Sequence, residues 1–321
     1  MRREHPKVLI AGGGWRVSRF IVPALLNEGV ARDDITILRR SSCAVAAPML
    51  RSLRTVSNLD ELDGVEFEVT LNCVVAESLV AVQQHLVQRY PQAVHFCDTP
   101  VFCDRDSLFQ VLRLSRARIY SLEDWPLMPN LAFLVSEARR PHRSVDLRVE
   151  HFGILVHFLS LFRSLHGGLN PLGRRLTKRS ADYIGEPRPG SRVTFRANKQ
   201  LPLAKTSLRT DRVIIEDFHE VEDQPRSNDE VLYRLIDGTH VRYHRGAEEI
   251  SAHKVDQSIL DGFFPLDDRK NVHELDKFIG LARLFRSVLS DTDTAAYPYL
   301  SSARDSLTAR RLGLSNTCWL I

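Results

Sequence analysis

The chain lacks a long apolar run. Its most hydrophobic stretch, Phe152–Phe162, is broken by His157 and is far too short to cross a bilayer. The first residues are basic but are not followed by the apolar segment of a secretory signal, so the sequence predicts a cytoplasmic protein with no membrane partner. An excess of one charge is also missing: 44 Lys and Arg face 40 Asp and Glu, for a net charge of +4. The two signs are mixed along the chain, which leaves no basic footprint and predicts no nucleic-acid partner. Cysteine is scarce and unpatterned. The five, Cys43, Cys73, Cys97, Cys103 and Cys318, include no CxxC pair and are odd in number, as reduced thiols would be. Histidine spacing offers no metal site either. His240 and His244 lie in a stretch that reads as a strand, where four residues span about 13 Å.

What is present is an ordinary globular composition, 43% hydrophobic and 26% charged, over 321 residues. That length suggests two domains. Short apolar runs at 8–11, 34–38, 55–56, 67–73, 93–97 and 118–121 alternate with helical patterns at 17–28, 44–53, 78–89 and 107–116. Such alternation predicts an α/β fold with a doubly wound parallel sheet. After Trp125-Pro126 the pattern changes. A helix at 131–139, a strand at 144–150 and a helix at 158–165 precede strands at 193–197, 213–219, 231–236, 241–244 and 249–254, with Asp237-Gly238 as a hairpin signal. Helical sequence resumes over 267–313. The expectation is a first domain over 1–122 and a second, largely antiparallel α/β domain over 123–321, with the last helices packing back on the first. The segment Gly167–Arg192, with several Gly and Pro, reads as a mobile loop. Its cations Arg174, Arg175, Lys178 and Arg179 are either a solvated surface or a clamp for an acidic substrate.

The richest local signal is KVLIAGGGWRVSRF at 7–20. An apolar strand meets three glycines and then an amphipathic helix. Glycines let the backbone approach a ligand, and the helix start offers N–H groups and a positive dipole end to an anion. Gly12 and Gly14 fill the first two positions of the dinucleotide fingerprint, while Val17 stands where a small residue is usual. Trp15 and Arg16 lie in the same turn, with Arg16 placed to touch a phosphate. The second strand ends in Leu38-Arg39-Arg40-Ser41-Ser42, with no acid to hold a ribose 2′-OH. Arg39, Arg40 and Ser41 suit a 2′-phosphate instead, so the expected cofactor is NADP(H).

Four segments resemble the glucose–fructose oxidoreductase and inositol dehydrogenase (Gfo/Idh/MocA) family. They are KVLIAGGGWRVSRFIVPAL, VHFCDTPVFCDRDSLFQVLRL, HFGILVHFLSLFRSLHG and the closing NVHELDKFIGLARLFRSVLSDTDT with SARDSLTARRLG. The resemblance implies a Rossmann domain, a second domain with an open sheet, and association as a homodimer or homotetramer through that sheet. It implies hydride transfer between nicotinamide and a carbonyl, hydroxyl or imine carbon of a small polar substrate. His157 matches the histidine of the family's D-x-G-x-H segment and becomes the candidate proton donor. Two catalytic positions depart from the family. Thr99, in Asp98-Thr99-Pro100, stands where the family has the lysine of E-K-P, and Gly153 stands where it has aspartate. Thr99 and Asp98 remain candidates for substrate contact. Cys73, Asp98, Pro100 and Trp125 are candidates beside the cofactor, with Glu123 and Asp124 closing the strand before Trp125. The departures also motivate an alternative, a non-catalytic NADP-binding sensor or assembly protein.

Overall fold

The structure, a computed structural model, describes residues 6–40, 48–101, 105–114, 117–151, 155–165, 174–179, 182–185, 191–197, 205–212, 214–221, 231–263, 272–290, 297–314 and 317–320. The chain forms two compact units, Met1–Glu123 with Leu281–Ser306 and Asp124–Gly280 with Leu307–Ile321. Among the described residues no helix is long and apolar enough to cross a membrane.

The first unit holds β1 (Val8–Ala11), α1 (Val22–Asn27), β2 (Ile35–Leu38), β3 (Arg54–Val56), β4 (Val69–Asn72), α2 (Ala76–Arg89), β5 (Val94–Cys97), α3 (Arg105–Leu114) and β6 (Ile119–Ser121). The strands lie in the order β3-β2-β1-β4-β5-β6, and all six are parallel. A short segment, Tyr297–Pro298, adds antiparallel to the β6 edge. Runs such as VLIA and ITIL read as strands because both faces are covered; every residue of β1 is at most 1% exposed. Leu9, Ala11, Val56, Leu86 and Tyr90 form one apolar cluster of this unit. Phe96 of β5 meets Phe285 edge to face at 5.5 Å.

The expected helix at 17–28 is not uniform. Val17–Ile21 is a wide π-helical turn that precedes α1. The irregularity starts at Val17, the buried residue that replaces the small third residue of the fingerprint. The pattern at 44–53 gives only a short 3-10 turn at Pro48–Ser52 among its described residues.

The second unit holds α4 (Pro129–Arg139), β7 (Val145–His151), α5 (Leu155–Ser164), β8 (Arg174–Arg179), β9 (Asp182–Gly185), β10 (Ser191–Ala197), β11 (Lys205–Thr210), β12 (Ile214–Val221), β13 (Val231–Asp237), β14 (His240–Arg245), β15 (Glu248–Lys254) and α6 (Gln257–Phe263). Its sheet runs β15-β14-β13-β12-β11-β7-β10-β9-β8 and ends in Thr317–Leu320. The β7–β10 and β12–β13 pairs are parallel and the rest antiparallel. Leu131 and Leu134 of α4 and Phe158, Leu161 and Phe162 of α5 pack with Leu147, Val149, Phe195, Leu208 and Leu232 of the sheet. Two long helices, α7 (Val272–Leu289) and α8 (Tyr299–Leu314), each contribute residues to both units.

Within Gly167–Arg192, which reads in sequence as a mobile loop, the described residues form strands. Arg174–Arg179 and Asp182–Gly185 are paired antiparallel strands, and the first also pairs with Thr317–Leu320. Cations and glycine masked the strand pattern, while cross-strand pairing supplies the order that composition does not.

Candidate functional site

The three glycines after β1 occupy three different environments. Gly12 has φ of +112°, and a Cβ there would stand 2.5 Å from the Cys73 carbonyl oxygen. Its N–H donates to the Leu38 carbonyl and Cys73 N–H donates to the Ala11 carbonyl, both at 2.8 Å. Only glycine fits that close approach of the β1, β2 and β4 ends. A Cβ on Gly13 would touch Cδ of Arg39 at 3.5 Å, whereas Gly14 has nothing within 4 Å. Among the described residues, Gly14 is therefore the open position of the three. Trp15, beside it, is 63% exposed and rests edge-on against Phe20 with ring centroids 5.0 Å apart.

At the end of β2, the Arg39 N–H donates to the Val56 carbonyl at 3.0 Å and its side chain lies along the glycine turn. Its Nε is buried and, among the described residues, has no hydrogen-bond acceptor. Arg40 follows and is exposed, while Ser41 lies outside the described residues. This end of β2 brings the Arg39 side chain to the glycine turn, with no carboxylate bonded to its Nε among the described residues.

The ends of β4, β5 and β6 carry a different arrangement. Arg16 reaches across from the glycine turn. Its Nε lies 3.2 Å from Oδ1 of Asp98, and Nη2 donates to the Leu122 carbonyl at 2.7 Å. Two candidates that the sequence presented separately thus meet each other. Asp98 Oδ1 also accepts from Thr99 N–H at 2.9 Å, and the Thr99–Pro100 bond is cis. Burial pushes the Cys73 thiol well above its ordinary pKa, with the Asp98 charge adding to the effect. Cys73 therefore stays a neutral thiol, as does Cys97, whose pKa burial also raises well above the usual range.

In the second unit, Trp125 is 1% exposed, and His157 near the start of α5 is 6% exposed. The imidazole stacks on the indole with centroids 5.5 Å apart and planes 15° from parallel. Trp125 also meets Phe195 and His273 edge-on. A carboxylate oxygen of Asp124, itself 0% exposed, lies within 4.8 Å of a His157 ring nitrogen. Glu123, the last residue of the first unit's N-terminal segment, is also buried. Gly153 lies outside the described residues. His240 and His244 sit on β14, where His244 stacks on Tyr233 at 5.3 Å.

The second unit also holds an ion cluster that no local motif announces. Arg234, fully buried, pairs with Asp217 and, at 2.6 Å, with Asp276. Tyr243 Oη donates to Asp276 at 2.5 Å, and Asn130 Nδ2 donates to Asp217 at 2.7 Å. Two carboxylates share one guanidinium, and burial raises the pKa of Asp276.

No family model matches this sequence, and no curated protein matches it. Solved structures do match in fold. An oxidoreductase from Thermotoga maritima is 12% identical, with 99% of each chain covered and a TM-score of 0.62. An oxidoreductase from Agrobacterium radiobacter, crystallised with NAD+, L-tartaric acid and magnesium, is 11% identical over 98% of each chain, with a TM-score of 0.63. A myo-inositol dehydrogenase from Corynebacterium glutamicum is 11% identical over 99% of each chain, with a TM-score of 0.61. This chain has their fold, a Rossmann domain joined to an α/β domain with a large mixed sheet.

Proposed function

We propose that this chain is a divergent oxidoreductase of the Gfo/Idh/MocA type that uses NADP(H). The observation that carries the cofactor choice is Arg39. Its side chain lies along the Gly13 backbone, with a buried Nε that meets no acceptor among the described residues. A 2′-phosphate at the end of β2 would give that guanidinium oxygen acceptors, and nothing acidic follows the strand to favour an unphosphorylated ribose. The residues present fit a dinucleotide in other respects as well. The strand order places a topological switch point between β1 and β4, Gly12 closes the turn there, and Gly14 leaves its backbone open. Arg39, Arg40 and Gly14 would hold the nucleotide. Trp15, Cys73, Asp98, Pro100 and Trp125 are its further proposed neighbours.

When bound, the nicotinamide supplies or accepts a hydride. In the reductive direction, the substrate's carbonyl or imine carbon gains the hydride and its oxygen or nitrogen gains a proton. His157 donates that proton and takes up another before the next turnover. Asp98 and Thr99 are proposed to touch the substrate's polar groups. Thr99 supplies a hydroxyl where the family has a cation, which favours a substrate other than the usual sugars.

Fluorescence titration with NADPH and NADH tests the cofactor assignment. NADPH is expected to bind about tenfold or more tightly, and Arg39→Ala to remove most of that preference. Equal or tighter NADH binding overturns it. The His157→Ala variant is expected to lower turnover far more than NADPH affinity. Tight NADPH binding without oxidation by any member of a carbonyl and imine panel would instead establish a non-catalytic binding protein.

A further inference from the structure

The aspartate that the family resemblance places at Gly153 is missing, yet the imidazole of His157 is not left among apolar groups alone. Asp124 comes from a different part of the chain, the segment that follows β6. Its carboxylate is wholly buried and reaches within 4.8 Å of a His157 ring nitrogen. That separation is bridged by one water or closed by a small side-chain rotation. An imidazole N–H is a donor that a buried carboxylate can accept from. The next residue, Trp125, stacks on the same ring at 5.5 Å and 15°. Two consecutive residues therefore stand beside one imidazole, the indole stacked on its plane and the carboxylate within 4.8 Å of a ring nitrogen.

The turn that carries them is closely packed and hydrogen-bonded. The Asp124 carbonyl accepts N–H groups from Leu127 at 2.9 Å and Met128 at 3.0 Å. Gly280 of α7 is pressed against the same turn. A Cβ there would stand 3.0 Å from the Asp124 carbonyl oxygen and 3.2 Å from Met128 N. His157 is fixed on its own side by α5, where its carbonyl accepts the Ser160 hydroxyl at 2.7 Å. Neither end of the Asp124–His157 pair is on a long, loose side chain.

We infer that Asp124 is a positioning residue for His157: it accepts from one ring nitrogen, fixes the tautomer, and leaves the other nitrogen as the one that exchanges a proton with substrate. The inference rests on the proposed role of His157 as proton donor. It adds a residue that the family pattern does not supply at this place. The physical logic is that of any histidine whose working nitrogen is chosen by the hydrogen bond on the other one.

Nitrogen-15 spectroscopy of histidine-labelled protein tests it without a substrate. The His157 signal is assigned by its loss in His157→Gln. In the wild-type protein it is expected to show a single tautomer with one nitrogen hydrogen-bonded. In Asp124→Asn, which keeps the shape and removes the carboxylate, that signature is expected to be lost and both tautomers to exchange. An unchanged His157 signal in a folded Asp124→Asn protein overturns the inference. If that variant does not fold, Asp124→Ser is read in the same way: loss of the single tautomer supports the pairing, and an unchanged His157 signal refutes it. NADPH titration of the same samples separates the two readings. Loss of NADPH binding in the wild-type protein defeats the proposed function, whereas tautomer exchange in the wild type defeats only the role of Asp124.

Discussion

Each unit contains an arginine bound to aspartate, and the two settings are opposites. In the first unit, Arg16 and Asp98 lie at the strand ends with side chains 20% and 17% exposed. In the second, Arg234, Asp217 and Asp276 are wholly enclosed between sheet and helices. A partly hydrated ion pair is worth little and can change partners, because water shares the cost of separation. An enclosed one cannot, since removing either partner strands a charge in a medium that does not solvate it. The same two residue types thus form a partly hydrated pair at the edge of one sheet and an enclosed cluster beneath the other.

The sharpest way to break this contrast is Arg234→Met. It leaves two buried carboxylates without their cation and is expected to cost about 3–5 kcal/mol, read from urea unfolding. A change below about 1 kcal/mol would show that the cluster is not locked. His95 offers a pH test within the first unit. Burial lowers its pKa from 6.5 to about 4, and its Nδ1 lies 2.7 Å from Thr70 Oγ1. The folded state therefore binds this proton less readily than the unfolded chain. The His95 contribution is complete above pH 6.5 and is lost as pH falls toward 4, by up to about 3 kcal/mol. Stability of His95→Gln should be correspondingly flatter across that window, and parallel pH profiles would count against the assignment.

The glycines give a third comparison of the same kind. Gly12→Ala combines a positive φ with a 2.5 Å clash and should cost about 1–3 kcal/mol, seen as a lower Tm. Gly14→Ala should leave Tm unchanged while weakening NADPH binding, because a Cβ there meets nothing within 4 Å among the described residues. The smallest stability effect is expected at Arg16→Met, below about 1 kcal/mol. A loss as large as that of Arg234→Met would erase the distinction between the two pairs.

How much of this is legible in sequence depends on how local its cause is. Strands covered on both faces announce themselves as apolar runs, so β1, β2 and β5 are readable directly. The strand β11, KTSLRT, is not: its buried positions alternate Thr206, Leu208 and Thr210, and threonine hides the hydrophobic half of the pattern. Gly12, Gly14 and Arg39 are legible because a turn and the next strand's end are close in any parallel unit of this kind. The meeting of Arg16 with Asp98 and Leu122 depends on strand order, which no short pattern encodes. Asp124 beside His157 is hidden for the same reason. Arg234 reads in sequence as one more charge on a strand, and only the packing of β12, β13 and α7 gives it two aspartates.

The interleaving of the two units along the chain sets a timetable for synthesis. The parallel sheet is complete once Ser121 has emerged, yet its unit also includes Leu281–Ser306. Phe96 must wait for Phe285, and the β6 edge must wait for Tyr297–Pro298. The first-made segment of this protein, Met1–Glu123, therefore spends most of translation unfinished. A gene fragment that stops at Glu123 would encode that unfinished state permanently, whereas one that splices Leu281–Ser306 onto it would carry every segment of the unit.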